Sequence, residues 1–189
     1  MDNWYKTALA EYWGSKASGC LFICKEDRTV LLFERSMDVE QGGTWGLTGG
    51  AIPNEFGMDE GYIESDFEDK EVLSNPEDDR FEDSARQETR EETGTFPSEA
   101  EFIDSTTFID GSFTFKTFIY NLSLEEKQSW TPTIQLNWEN DDYQWFRMNE
   151  LPENLHFGIE NKLSVIQKSF EEEQTTPFVL AKKNFTNHN

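Results

Sequence analysis

The sequence predicts an α+β fold, and three patterns lead to that prediction. Short runs of apolar, β-branched and aromatic residues recur between turn-forming residues, which is typical of strands. The stretch Glu82–Thr93 contains neither Pro nor Gly and is flanked by helix start and stop signals. Nearer the end of the chain, Leu155–Phe170 carries an apolar residue at each helical turn, which predicts a helix with one buried stripe: Ile159, Leu163, Ile166 and Phe170.

The chain of 189 residues suits one domain with a core of its own, because no shift in composition divides it. Its 16 Phe and 6 Trp supply the bulky apolar side chains that disordered proteins lack. We therefore expect a single domain over residues 1–189. Within it, aromatic residues at helical spacing predict an N-terminal helix at 1–14, and residues 177–189 are predicted to form a loose tail.

The net charge of −22, from 38 acidic and 16 basic residues, narrows the partners of this protein. A field of this sign repels phosphate backbones and anionic lipids, so we expect no binding to nucleic acids or membranes. In a strand the Cα atoms of Cys20 and Cys24 would be about 13 Å apart, too far for a disulfide. No apolar run of membrane-spanning length is present, and together these features favour a reduced, cytoplasmic protein.

Two hairpins are predicted along the chain. The first joins Ser18–Lys25 to Thr29–Glu34 through the residues KEDR, and both strands are apolar runs. The second joins Ala100–Phe108 to Ser112–Ser123 through an Asp110–Gly111 turn.

The remaining segments are predicted to connect these elements. Residues 54–78 are acidic but contain too many apolar side chains for a purely solvated loop, so we expect them to have a role of their own. Leu124–Asn140 is predicted as a connection anchored by Trp130 and Trp138. It leads to a further strand at Tyr143–Met148.

The predicted helix carries the most informative chemistry. Asp79 and Glu82 have the spacing of a capping box, and Gly94 stands where a helix usually ends. At about 100° per residue, three carboxylates share one face: Glu88, Glu91 and Glu92. Like charges at this spacing cost a helix a few tenths of a kcal/mol per pair, which a bound divalent cation would offset. Oxygen ligands favour Mg²⁺ or Mn²⁺, and a solvated acidic face is the alternative interpretation.

Three segments in order resemble the Nudix hydrolase family. QETREETGT, from Gln87, follows the end of the Nudix box, and TWGLTGGAIP at Thr44–Pro53 resembles the family's W-x-x-P-G-G segment. DDYQWFRMNELP at Asp141–Pro152 is similar to the family's closing strand and the turn after it. The resemblance covers Ala17 to Phe170, which is most of the chain.

The sequence departs from the box at several positions. Gln87 replaces the box Arg, and a neutral amide can form hydrogen bonds but supplies no charge. Gly50 and Asp79 are 29 positions apart where the box has six, so 29 − 6 = 23 residues are inserted, and we assign the insertion to the segment 54–78. The other departures are polar or acidic residues at box positions: Thr48, Asp79, Thr89 and Thr95.

The resemblance and the order of elements together predict an α/β/α sandwich with a mixed central sheet. The resemblance implies hydrolysis of a nucleoside diphosphate linked to a group X, with Mg²⁺ or Mn²⁺ as cofactor. Its metal ligands and catalytic carboxylates would be Glu88, Glu91 and Glu92. The general base is expected to be Glu92 or Glu139. The substrate-binding residues are expected to be Arg35, Trp45, Gly49 and Gly50.

Three functions remain open at this point. The first is hydrolysis of a small nucleotide such as ADP-ribose, a dinucleotide or a nucleoside triphosphate. The second is nucleotide binding or regulation with little catalysis, which Gln87 and the insertion favour. The third is an acidic decoy that imitates nucleic acid, which rests only on the net charge. A homodimer is expected by analogy with the family.

Overall fold

The computed structural model describes residues 16–52, 76–160 and 162–171. The predicted N-terminal helix, the predicted tail and nearly all of the predicted insertion lie outside these residues. None of the helices in these ranges is long and apolar enough to span a membrane.

A mixed sheet forms the centre of the fold, as predicted. Seven strands within the described residues belong to it, with the main order β3-β2-β1-β6-β5. Strand β4 pairs with β1, and β7 pairs with β2. Only the β1–β6 pair among these is parallel. The bounds are β1 Lys16–Cys24, β2 Thr29–Arg35, β3 Trp45–Gly46, β4 Thr48–Ala51, β5 Glu101–Asp110, β6 Phe113–Asn121 and β7 Asn140–Arg147.

Both predicted hairpins are confirmed. Strands β1 and β2 pair antiparallel, and so do β5 and β6, where Asp110 faces Phe113. Gly111 has a φ of +61° in the turn between β5 and β6, a conformation that glycine adopts without strain. Strand β7 begins at Asn140, three residues before its predicted start.

Helix α1 spans Pro76–Thr93, so its predicted start at Glu82 was wrong. Asp79 lies within the helix and does not cap it. Proline is favoured at the first position of a helix, because its missing N–H would have no partner within the helix. The predicted end is confirmed, because Gly94 has a φ of +78° and its N–H donates to the Arg90 carbonyl at 2.8 Å.

The segment Leu124–Asn140 was predicted as a connection, but it contains helix α2, Leu124–Trp130. Ser123 caps this helix by accepting a hydrogen bond from the Glu126 N–H at 3.1 Å. This is the serine and glutamate spacing of a capping box, a signal present in the sequence. Trp130 is buried as predicted, whereas Trp138 is 68% exposed and anchors nothing in the core.

The single helix predicted over Leu155–Phe170 is instead two helices. Helix α3 spans Phe157–Glu160 and α4 spans Leu163–Glu171. The spacing of apolar residues does not reveal the interruption between α3 and α4, because the buried stripe continues across it through Ile159, Ile166 and Phe170.

Two hydrophobic cores lie on opposite faces of the sheet. On one face Phe22 and Tyr120 pack with Phe81 and Ala85 of α1 and with Trp130 of α2. On the other face, residues of β1 and β2 pack against the stripe of α3 and α4. The fold is therefore the predicted sandwich of helix, sheet and helix. Cys20 and Cys24 are buried and free, as expected.

A buried hydroxyl pair joins α1 to the sheet. Thr48 Oγ1 of β4 lies 2.7 Å from Thr89 Oγ1 of α1. Both side chains are fully buried, and Thr89 also donates to the Ala85 carbonyl at 3.0 Å. Both Thr48 and Thr89 depart from the family pattern, and nothing in the sequence connects the two departures. The structure brings them together, so each hydroxyl has a partner in the other.

Replacing Thr48 or Thr89 by Val should cost on the order of 1 kcal/mol each in unfolding free energy, because the hydrogen bond between the two hydroxyls is lost and each remaining hydroxyl keeps only its backbone carbonyl partner. The double Val variant should cost less than the sum of the two single variants, since no hydroxyl is then left behind. Denaturant unfolding of the four proteins measures this coupling. Strictly additive effects would show that the hydroxyls do not interact.

Candidate active site

A buried carboxylate stands at the centre of the candidate site. Glu92, in the last turn of α1, is 3% exposed. Its Oε1 accepts a hydrogen bond from the Gly49 N–H at 2.6 Å, and its Oε2 accepts one from the Asn140 side-chain amide at 2.6 Å. These bonds connect α1 to β4 and to the first residue of β7. We refer to this arrangement of Glu92, Gly49 and Asn140 as the carboxylate clasp.

The backbone around Glu92 ties the end of α1 to the loop before β7. The Asn137 N–H donates to the Glu92 carbonyl at 3.0 Å, and the Gln135 N–H donates to the Thr93 carbonyl at 2.8 Å. Carbonyls at a helix end lack partners within the helix, so this loop satisfies them. The same loop continues to Glu139, whose carbonyl accepts from the Ser36 N–H at 2.8 Å. Glu139 is thus held near α1.

Gly50 makes room for the second carboxylate. A Cβ atom at Gly50 would lie 2.5 Å from the Glu88 carboxylate, so the glycine backbone packs directly against this group. Ser18, which pairs with Gly50 across β1 and β4, is fully buried and its hydroxyl has no hydrogen-bond partner. Opposite residues in an antiparallel pair face the same side, so this hydroxyl faces the side of Glu88.

The third carboxylate of the helix face is exposed. Glu91 Oε1 accepts a hydrogen bond from the Gln87 side-chain amide at 2.8 Å. Gln87 stands where the family has Arg, so in this chain an uncharged donor orients the neighbouring glutamate. The pair lies one helical turn apart on the surface of α1.

Burial and like charge raise the pKa values of two of these groups. Burial raises the pKa of Glu92 to about 8, although the hydrogen bonds from Gly49 and Asn140 oppose the shift, and Glu139 and Glu88 add to it. Burial also raises the pKa of Glu88 to about 7, with further contributions from Glu91 and Glu139. The negative charges of four carboxylates therefore repel one another here: Glu88, Glu91, Glu92 and Glu139. A cation bound between them would relieve this repulsion.

The donor set suits a hard divalent cation. The carboxylates of Glu88, Glu91, Glu92 and Glu139 are all oxygen donors, which Mg²⁺ and Mn²⁺ prefer. The Ser18 hydroxyl, which has no hydrogen-bond partner among the described residues, is a further oxygen donor. Within the described ranges, no three acidic, His or Cys side chains are already gathered into a coordination cluster. The residues fit such an ion by chemistry, and their side chains would have to rotate towards it.

A cleft opens on the opposite side of β4 from the carboxylates. Gly49 belongs to both features, because its N–H binds Glu92 while the residue also lines the cleft. Arg35 lines it too and is 9% exposed, with its Nε donating to the Glu40 carbonyl at 3.0 Å. The other lining residues are mostly aromatic or small: Leu47, Phe113, Phe115, His156, Phe157 and Gly158.

His156 in this cleft is a neutral side chain. Burial lowers its pKa to about 3, and the charge of Arg35 lowers it further. Its Nδ1 accepts a hydrogen bond from the Gly158 N–H at 3.2 Å. Nothing in the spacing of the sequence connects His156 to β3. The structure does connect them, since the His156 N–H donates to the Trp45 carbonyl at 2.8 Å.

The structure brings some of the expected site residues together and separates others. Gly49, Gly50, Glu88 and Glu92 meet where β4 packs against α1. The Trp45 side chain instead packs edge-on against Phe146, with ring centroids 4.9 Å apart, and does not line the cleft. Sequence reasoning missed Asn140 of the carboxylate clasp, because an asparagine that begins a strand has no distinctive spacing.

Gly50→Ala should lower any activity of this site while leaving stability nearly unchanged. The new methyl group would displace the Glu88 carboxylate, which lies at the flexible end of its side chain and can move. Gly111→Ala is the matched comparison, because its Cβ would meet no atom within 4 Å but would be strained by the positive φ. We expect it to lower the melting temperature and keep the activity. If the two variants behaved alike, Gly50 would not act through Glu88.

The metal-free protein should lose stability as pH rises from about 4.5 to about 8. The pKa values of Glu88 and Glu92 are raised from 4.5 to about 7 and about 8 in the folded state, so the folded protein holds protons that the unfolded chain releases, and this contribution is fully lost only above the raised values. The double variant Glu88→Gln, Glu92→Gln should show a flatter dependence of melting temperature on pH. Glu125→Gln, an exposed residue of α2, is the control and should follow wild type. An unchanged slope in the double variant would contradict the shifts.

Comparisons with known proteins agree with this fold. RenU, a Nudix hydrolase from M. smegmatis, superposes with a TM-score of 0.55 at 20% identity, covering 87% of this chain and 88% of that chain. The C. elegans Ap4A hydrolase, in a binary complex, gives a TM-score of 0.54 at 15% identity, covering 83% of this chain and 98% of that one. The NUDIX domain of Shewanella oneidensis NrtR, complexed with ADP ribose, gives 0.50 at 20% identity over 92% and 99%.

Identities this low show a shared fold and nothing finer. A search of curated protein sequences found no match. A sequence profile of the NUDIX domain, however, matches residues 15–167, which is most of the chain. The match spans the glycine pair, the helix with its three glutamates and strand β7. The chain therefore belongs to the Nudix hydrolase superfamily.

Proposed function

We propose that this protein is a pyrophosphohydrolase, dependent on Mg²⁺ or Mn²⁺, that cleaves a small nucleoside diphosphate derivative. The family as a whole hydrolyses nucleoside diphosphates linked to another group, and the proposal concerns the cofactor, the residues and the substrate class. The carboxylate clasp is the observation that carries it. A carboxylate buried to this degree costs stability, and the structure keeps it hydrogen-bonded to Asn140 and to Gly49, a residue that also lines the cleft.

The cation would be held by Glu88, Glu91 and Glu92, with Glu139 close by. A bound Mg²⁺ or Mn²⁺ would neutralise charge that develops on the phosphate oxygens during hydrolysis. The protein supplies orientation. Gly50 allows the Glu88 carboxylate to pack directly against the backbone of β4. Gln87 orients Glu91 by a hydrogen bond, and the carboxylate clasp holds Glu92 in place.

A carboxylate must also take a proton from the attacking water. Glu139 is our candidate for this base, because it lies on an anchored loop and its charge reaches both Glu88 and Glu92. Glu92 is the less suitable candidate, since each of its oxygens already accepts a hydrogen bond. Arg35 and Gly49 both line the cleft, and Gly49 also donates to Glu92, so a cation and a backbone segment there can position the diphosphate.

The aromatic part of the cleft suits a ring-bearing substrate. Phe113, Phe115 and Phe157 line it, and flat apolar rings offer a stacking surface for a base or a sugar. ADP ribose and Ap4A appear in the names of structural neighbours, and both belong to the substrate classes expected from the sequence. They are therefore the first compounds to test.

Release of nucleotide or phosphate from ADP-ribose, Ap4A, NADH and nucleoside triphosphates should require Mg²⁺ or Mn²⁺ and stop when the metal is chelated. Glu91→Gln and Glu92→Gln should each lower the rate by about a hundredfold, the order expected for losing a catalytic group. Glu139→Gln should lower it about as much if this residue is the base. Glu125→Gln is the matched exposed control and should keep the wild-type rate.

Two outcomes would contradict the proposed hydrolysis at this site. If none of these compounds is cleaved although ADP-ribose binds, the protein recognises nucleotides without catalysis, and Gln87 belongs to a site that no longer turns over. If the compounds are cleaved at the same rate by the glutamate variants, the chemistry lies elsewhere in the chain.

A further inference from the structure

A second buried cation borders the aromatic end of the cleft. The Lys162 Nζ atom lies 5.7 Å from the ring centroid of Phe115, which lines the cleft. Lys162 lies between α3 and α4, four positions after Gly158, another lining residue, and is only 3% exposed. Lysine is almost never buried to this degree unless something pairs with it.

No carboxylate serves as that partner within the described parts of the chain. The ion pairs seen there belong to Arg86 and Lys127. Burial lowers the pKa of Lys162 to about 8, and no neighbouring charge contributes to the shift. At pH 7 the ammonium group is still mostly protonated. A positive charge therefore remains in apolar surroundings in a protein whose 38 acidic residues could have paired with it.

Two unpartnered hydroxyls lie on the same face of the sheet. Thr117 follows Phe115 by two positions in β6, so both side chains project to the cleft side. Thr117 is fully buried, and its Oγ1 has no hydrogen-bond partner among the described residues. Thr106 faces Thr117 across the β5–β6 pair, and its buried Oγ1 also lacks a partner in the described parts of the chain. Native proteins seldom leave buried polar atoms unsatisfied, so these hydroxyls are available to bind a ligand.

We infer that Lys162, assisted by the Thr117 hydroxyl, binds a second phosphate group of the substrate, separated from the scissile diphosphate by one ring. This inference rests on the proposed function and narrows its substrate class. The diphosphate lies at Arg35 and Gly49, the ring lies on Phe113 and Phe115, and the second phosphate reaches Lys162. Lys162 is thus a specificity-determining residue.

A phosphate explains the site better than a neutral acceptor does. A carbonyl oxygen of a base could accept a hydrogen bond from Lys162, but it would leave the buried charge unneutralised. A phosphate oxygen neutralises the ammonium and can also accept from Thr117. The acidic surface repels anions in general, so a buried cation lets the protein bind one at a single place.

Calorimetric binding of adenosine 3′,5′-bisphosphate, adenosine 2′,5′-bisphosphate and AMP, with Mg²⁺ present, tests the inference without turnover, because none of these compounds contains a diphosphate. Wild type should bind one of the bisphosphates about tenfold or more tightly than AMP, as a charge-assisted hydrogen bond allows. Lys162→Met should reduce this ratio to within about twofold. Lys168→Met, at an exposed position of α4, should keep the wild-type ratio.

The melting temperature of the Lys162→Met variant distinguishes a phosphate-binding role of Lys162 from a purely structural role. Lys162→Met replaces a buried charge by an apolar side chain of similar length, so its melting temperature should equal or exceed that of wild type. Thr117→Val is a second variant that removes only a hydroxyl. It should lower the binding ratio by a smaller factor and provides the answer if Lys162→Met does not fold.

Three results would overturn the inference. The first is a wild type that binds the bisphosphates no better than AMP. The second is an unchanged ratio in Lys162→Met. The third is a preference for GMP over AMP that disappears in Lys162→Met, because the lysine would then bind a base oxygen. The proposed hydrolysis can fail independently, since a protein that binds the bisphosphates selectively but cleaves nothing keeps this inference and loses the catalytic proposal.

Discussion

The burial of Glu92 is the constraint on which the rest of the site depends. A carboxylate with so little contact with water requires hydrogen bonds, and the two it receives come from different parts of the chain, Gly49 and Asn140. These bonds fix α1 against β4 and against the start of β7. The glycine pair is needed for close packing, because a Cβ atom at Gly50 would meet the Glu88 carboxylate and one at Gly49 would meet the backbone of Ser18 and Gly19.

The sheet separates the charged part of the site from its apolar part. The carboxylates lie on the side of α1, whereas the cleft lies on the side of α3 and α4, and Gly49 borders both. A substrate could thus present its phosphates to one side of a short strand and its ring to the other. The buried cations Arg35 and Lys162 both border the cleft.

Much of the fold could be predicted because it follows from local patterns. Strand runs, the Asp110–Gly111 turn and the Gly94 helix end depend on neighbours in sequence, and these predictions were confirmed. Helix α2 was missed although Ser123 and Glu126 carried its capping signal. The partners of Glu92 and Thr89 were not predictable from spacing, since Thr48 and Asn140 approach them only after the sheet has formed. Lys162 gave no signal either, because burial of a lysine is a property of the packed structure.

Hydrolysis by Asn140→Ala, assayed with Mg²⁺ on whichever compound wild type cleaves best, tests the carboxylate clasp most directly. The substitution removes one of the two donors to Glu92 and leaves the proposed metal ligands in place. The account predicts a fall in kcat/KM of about 10- to 100-fold, the range typical for losing a residue that orients a metal-binding carboxylate. Asn149→Ala, at an exposed turn, should match wild type. An Asn140→Ala protein with the wild-type rate would contradict the claim that the clasp organises this site.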